Sequence, residues 1–140
     1  MNNQEFNLPE NFEELQPTTE TYLRKVFNLH TESKVIFYRI VGILNYLNVP
    51  EHTYCINRDA HPFDILILSF RFITLADHDG LLALVTFIED LEVDNIKVIV
   101  TGLKKNDNVT RKIAAIAGMA ERLRPFTYQF VLAEILHNDK

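Results

Sequence analysis

At 140 residues the chain has room for one hydrophobic core and not for two. Nineteen acidic against fourteen basic residues give a net charge of −5, and the single cysteine, Cys55, excludes an internal disulfide framework and suits a reducing compartment. No apolar run approaches the roughly eighteen residues of a membrane span.

The charge is unevenly placed. Glu5, Glu10, Glu13, Glu14 and Glu20 fall within the first twenty residues, which hold no Lys or Arg, so the remainder is left with fourteen acids for its fourteen bases. An acidic lead on a neutral body argues against nucleic acid and against an anionic membrane surface as partners, since both demand a basic face. The opening Met-Asn-Asn-Gln-Glu-Phe-Asn has neither the basic nor the apolar region of a secretory signal, which makes the cytoplasm the expected location.

In chain order, residues 1–20 read as an acidic linker or arm and 21–140 as the folded domain. Pro9 and Pro17 interrupt the arm. Phe6, Leu8, Phe12 and Leu15 would dock it onto the body; a disordered tail is the alternative. Tyr22 to Leu29 and Val35 to Val41 have strand composition, and the short polar Thr31 to Lys34 between them predicts a β-hairpin. Gly42 permits a bend before Ile43 to Asn48, and Val49 to Asn57 reads as a short helix with Pro50 in its first turn.

Ile65 to Leu68 are four consecutive branched apolar residues without polar alternation, the pattern of a strand covered on both faces. A short connection leads to Asp77-His78-Asp79-Gly80. The helix that follows places Leu81, Leu84, Val85, Ile88 and Leu91 on one face. Ile96 to Thr101 is the next strand, completing a βαβ unit. A polar loop from Gly102 ends at Asn108, the expected cap of a helix bearing Ile113, Ile116, Ala117 and Ala120 on one side. Arg124-Pro125 interrupts, and Tyr128 to His137 reads as a last amphipathic helix. The class is α/β, with a central four- or five-stranded mixed sheet, an N-terminal hairpin and about four helices.

Three stretches, Tyr38 to Asn48, Phe72 to Leu81 and Val98 to Leu103, together resemble the STAS domain shared by sulphate transporters and anti-sigma factor antagonists, with greater similarity to the SulP transporter branch. The resemblance spans roughly residues 22–137 and implies a STAS-like sandwich. It also implies a non-enzymatic regulatory role exercised by docking onto another protein or onto the transporter's own membrane domain. A free-standing antagonist-like protein and a nucleotide- or anion-sensing domain are the alternatives, and a homodimer is compatible with each. In the antagonists the residue after the loop aspartate is a Ser or Thr that a kinase phosphorylates. Here it is His78, followed by Asp79, so a serine switch has no hydroxyl to act on. Thr74 is the nearest hydroxyl in that loop.

The candidate partner surface comprises Thr74, Asp77, His78, Asp79, Gly80, Leu82, Thr86 and Phe87. Beyond its core stripe the helix after Gly80 carries Leu82, Ala83, Thr86 and Phe87, a second, largely apolar face that either the arm or a partner has to cover. Asp77 or Asp79 at a helix start reads as a cap rather than a general acid, because no nucleophile or partner base accompanies it. Lys104, Lys105 and Arg111 flank another helix start and are the candidates for holding an anion or nucleotide phosphate, although a solvated basic loop is the simpler account of them. His52, Cys55, His61 and Asp64 are metal-competent but lack the two close-spaced ligand pairs of a zinc site. With four glycines and no Walker or Gly-x-Gly-x-x-Gly motif, no cofactor is expected.

Overall fold

The computed structural model describes residues 11–13, 16–59 and 62–127. Its five α-helices and five strands run α1 Pro17–Val26, β1 Val35–Arg39, β2 Gly42–Leu44, α2 Val49–Asp59, β3 Ile65–Ser69, β4 Ile73–Ala76, α3 His78–Val93, β5 Lys97–Thr101, α4 Asn108–Ala115 and α5 Met119–Leu123, with a 3-10 turn over Arg124–Phe126. No helix among the described residues is long and apolar enough to cross a membrane.

β3 is central. It pairs in parallel with β1 on one side and β5 on the other, and all five of its residues are buried. Successive side chains alternate between faces, so the Ile65–Leu68 run supplies two cores. Leu66 and Leu68 join Tyr38, Val98 and Val100 beneath residues of α2, α3, α4 and α5. Ile65 and Ile67 join Phe37 and Ile99 beneath Leu23 and Phe27.

That second core explains the main departure from the sequence reading. Residues 17–26 form a helix, not the first strand of a hairpin, and among the described residues no hairpin precedes β1. Were this stretch a strand, Phe37, Ile65, Ile67 and Ile99 would face water. As a helix it buries Leu23 against them, with Phe27 four residues on, at the cap, in the same cluster. Pro17 opens the helix, Glu20 and Arg24 pair one turn apart at 2.9 Å, and Asn28 turns the chain out with a φ of +56°. The strand-like composition of Tyr22 to Leu29 yields to this tertiary cover.

The strands also differ in arrangement. Five are present, but as a three-stranded sheet, β1-β3-β5, and a two-stranded ribbon, β2-β4. The chain bends at Ile40–Val41 and at Phe70–Phe72, Gly42 takes φ +88°, and the register shifts between Gly42 and Ile43. The β2-β4 ribbon therefore leaves the plane of the main sheet. Among the described residues the strand pairings are parallel, and an antiparallel bridge joins Phe12 to Tyr38.

That bridge docks part of the arm. Glu13 N donates to Phe37 O at 2.8 Å, Asn11 Nδ2 donates to Arg39 O at 2.8 Å, and the Phe12 ring stands edge-on to Tyr38 at 4.9 Å. Phe6, Leu8 and Leu15, also expected to dock, lie outside the described residues, as does the helix predicted over 128–137. The helix expected to run on from Val109 breaks at Ile116, whose extended backbone separates α4 from α5. Its cap is Asp107, which accepts from Thr110 N at 2.8 Å, one residue before the expected Asn108.

Beneath α2, the Tyr38 hydroxyl and His52 Nδ1 share a hydrogen bond of 2.6 Å in the main core. Burial pushes the His52 imidazole down to about 4, and burial, with Cys55 adding to it, pushes the Tyr38 phenol well above its usual range. Near pH 7 the bond therefore joins a neutral imidazole to a neutral phenol.

Two outcomes follow. Leu23→Ala, at a side chain 1% exposed, lowers unfolding free energy by about 2–5 kcal/mol in urea titration, whereas a hairpin in that place would tolerate it. For His52 the folded pKa lies below the unfolded one, so its contribution is complete above about 6.5 and is lost as pH falls toward 4. Between those limits unfolding takes up a proton, and stability drops by about 3 kcal/mol more in the wild type than in His52→Phe. Urea midpoints at pH 7 and 4.5 in the two proteins measure that difference.

Candidate interaction surface

The loop entering α3 is built by local chemistry. Asp77 has extended backbone, and its Oδ1 accepts from Gly80 N at 2.6 Å, an N-cap hydrogen bond that also places negative charge at the positive end of the helix dipole. Its own N–H donates to Leu44 O at 3.1 Å, tying the loop to the end of β2. Gly80 is buried with no room for a side chain: a Cβ there would lie 2.7 Å from Asn45 Cα. The turn over 45–48 is thereby held against the start of α3. Asn45 Oδ1 accepts from the N–H groups of Leu47 and Asn48, and Asn48 Nδ2 donates to Ile43 O at 2.7 Å.

Of the sequence candidates, Thr74, Asp77, His78, Asp79 and Thr86 are exposed, Gly80 is buried, and Leu82 and Phe87 are half-buried. Leu82, Ala83 and Phe87 pack against the main core, so the second apolar face of α3 is not left open. Its outer edge is clasped from α5: Arg122 donates to both carboxylate oxygens of Glu89, at 2.9 and 2.6 Å, and to Thr86 Oγ1 at 3.4 Å. The hydrogen bonds from Arg122 hold the Glu89 carboxyl below its usual range.

The exposed apolar surface lies on the other side of the Asp77 loop. Ile43 and Leu75 are register partners on the ribbon, 52% and 56% exposed, and Tyr46 and Leu47 on the adjoining turn are 61% and 75% exposed. Sequence reasoning missed this patch. Its one legible signal was Ile43-Leu-Asn-Tyr-Leu47, a run whose apolar residues fall on both parities and therefore on both faces of any extended chain.

The basic trio lies around the start of α4. Lys104 and Lys105 are exposed, and Arg111 donates to Asn106 O at 2.7 Å and Asn108 Oδ1 at 3.1 Å, bracing its own loop. The Asp107 carboxylate occupies the helix N-terminus where a bound anion would sit. Among the metal-competent residues, His52 and Cys55 are buried, Asp64 accepts from Lys34 N at 2.8 Å, and His61 lies outside the described residues. No group of three or more such side chains able to hold a metal occurs among the described residues.

The architecture is that of a STAS domain. A sulfate transporter family protein from Wolinella succinogenes is similar over 74% of this chain and 88% of its own, with a TM-score of 0.56 and 19% identity. The STAS domain of a SulP transporter from Vibrio cholerae matches over 86% of this chain and 98% of its own, with a TM-score of 0.56 and 18% identity. The Bacillus cell fate determinant SpoIIAA, in its phosphorylated form, matches over 79% and 96%, with a TM-score of 0.53 and 15% identity. No protein-family model and no curated protein sequence matches the chain.

Gly80→Ala is expected to cost about 1–3 kcal/mol, because the obstructing atoms are backbone and neither side can yield freely. Asp77→Ala is expected to cost about 1 kcal/mol through loss of the cap. Thermal unfolding of the two variants tests both; a neutral Gly80→Ala would mean that the 45–48 turn is not held against α3.

Proposed function

We propose that this chain is a non-enzymatic regulatory STAS domain that acts by docking in the cytoplasm, as part of a SulP-type anion transporter. The observation that carries the reading is the loop itself. Asp77 caps and Gly80 packs as the fold requires, while the intervening positions are His78 and Asp79, which offer no hydroxyl for phosphorylation. The likeness to a sulfate transporter family protein and to a SulP transporter STAS domain supports the same branch. The docking surface includes Thr74, exposed on β4, and Asp77, His78 and Asp79, exposed at the start of α3.

The free-standing antagonist reading retains the likeness to SpoIIAA but demands a phosphate acceptor. The anion-sensing reading is weakened by the carboxylate at the α4 N-terminus. A chimaera tests the transporter reading: this chain, replacing the STAS domain of the Vibrio cholerae SulP transporter, is expected to restore anion uptake above that of the STAS-deleted carrier. Uptake no better than the deletion, together with kinase-dependent phosphorylation of Thr74, would replace the transporter reading with the antagonist one.

A further inference from the structure

The apolar surface of the ribbon and turn is large for a feature with no packing role of its own. Ile43, Leu75, Tyr46 and Leu47 are each more than half exposed. They are contiguous because β2 pairs with β4 through Ile43 and Leu75, and because Asn48 folds the turn back onto the Ile43 carbonyl. Apolar area left in water here is free energy that a partner covering it would gain. The surface is also held still. Its turn is fixed from below by the Gly80 contact and from within by four Asn side-chain hydrogen bonds, so little ordering entropy is lost on binding.

Among the described residues, the charges bordering this end of the patch are acidic. Asp77 and Asp79 stand exposed on the α3 side, next to the turn, and Glu51 stands exposed in the first turn of α2 directly after it. Of the nearby cations, Arg58 lies on the Tyr54 ring at 5.1 Å, further along α2. At the far end, beyond Val41, Arg39 and Arg71 both lie on the Phe72 ring, and Arg39 pairs with Glu13 at 3.5 Å. An anionic membrane or an acidic peptide would be repelled by the acidic rim, and a second copy of this patch would bring like charges together.

Resting on the docking function proposed above, we infer that the outer face of β2-β4 with the 45–48 turn receives a basic amphipathic segment of a partner protein, its apolar side on Ile43, Tyr46, Leu47 and Leu75 and its Lys or Arg residues against Asp77, Asp79 and Glu51. Groove-binding helices of that kind present apolar anchors at helical spacing, with cations outside them.

The test titrates the isotope-labelled full chain with a synthetic amphipathic Leu/Lys peptide, with a Leu/Glu peptide of the same pattern, and with oligolysine. The expected result is that the Leu/Lys peptide shifts amides of 43–47 and 75–79. Leu47→Ser with Leu75→Ser should weaken it about tenfold or more. Glu51→Gln with Asp79→Asn should weaken it several-fold at low salt and little at high salt. Equal binding of Leu/Glu, equal binding of oligolysine, shifts elsewhere, or unchanged affinity in the serine variant would overturn the inference. So would a concentration-dependent dimer that the serine variant abolishes, since a second copy would then be the occupant. The serine variant placed in the transporter chimaera separates this inference from the function above it. Uptake unaffected by the two serines leaves the transporter reading standing and removes this patch from it; failure of the wild-type chimaera with peptide binding intact does the reverse.

Discussion

Burial of β3 on both faces is the constraint from which the rest of the structure follows. A strand of Ile65-Leu-Ile-Leu-Ser69 has no side to offer water, so both of its faces require a cover and both of its edges a neighbour. β1 and β5 supply the edges in parallel, and parallel neighbours need long crossovers, which α2 and α3 provide. Those crossovers, with α4 and α5, cover one face. The other face is left to the segment before β1, and α1 is what that segment becomes.

The same constraint positions the candidate surface. β1 and β3 continue past the bend as β2 and β4, so the ribbon inherits its pairing from the main sheet but not its double cover. One side of the ribbon carries Leu44, Ile73 and Ala76 into the core. The other shows Ile43 and Leu75 to solvent, beside a loop whose shape is fixed by the Asp77 cap and the Gly80 contact. A turn held by hydrogen bonds, exposed apolar side chains and a rim of exposed carboxylates thus meet where the fold runs out of layers.

Charged and polar groups serve structure before they serve recognition here. Asp77 and Asp107 cap helices, Arg111 braces a loop, and Arg122 with Glu89 clasps α5 to α3. The most perturbed titrating groups, His52 and Tyr38, are bonded to each other in the core, away from the exposed loop. The ionisable residues of the loop, Asp77, His78 and Asp79, are solvent-exposed, an arrangement suited to contact with a partner's charges.

Legibility in the sequence followed the range of the interactions. Ile65 to Leu68, the α3 stripe from Leu81 to Leu91, Pro50 in the first turn of α2 and a cap at Asp77 were readable because each is written in the residue's own neighbours: an unbroken apolar run, a period of 3.6, a fixed φ, a carboxylate three residues before the N–H it accepts from. Local composition also sufficed to exclude a serine switch at position 78. Tertiary structure alone decided that residues 17–26 are a helix, since the sheet face they cover lies up to eighty residues away in sequence, at Ile99. It alone decided that Leu82 and Phe87 lean inward on the core while Ile43, Leu47 and Leu75 stay outside. The apolar transfer that drives burial does not distinguish one leucine from another; which of them is covered depends on where the layers end, and that is a property of the assembled fold.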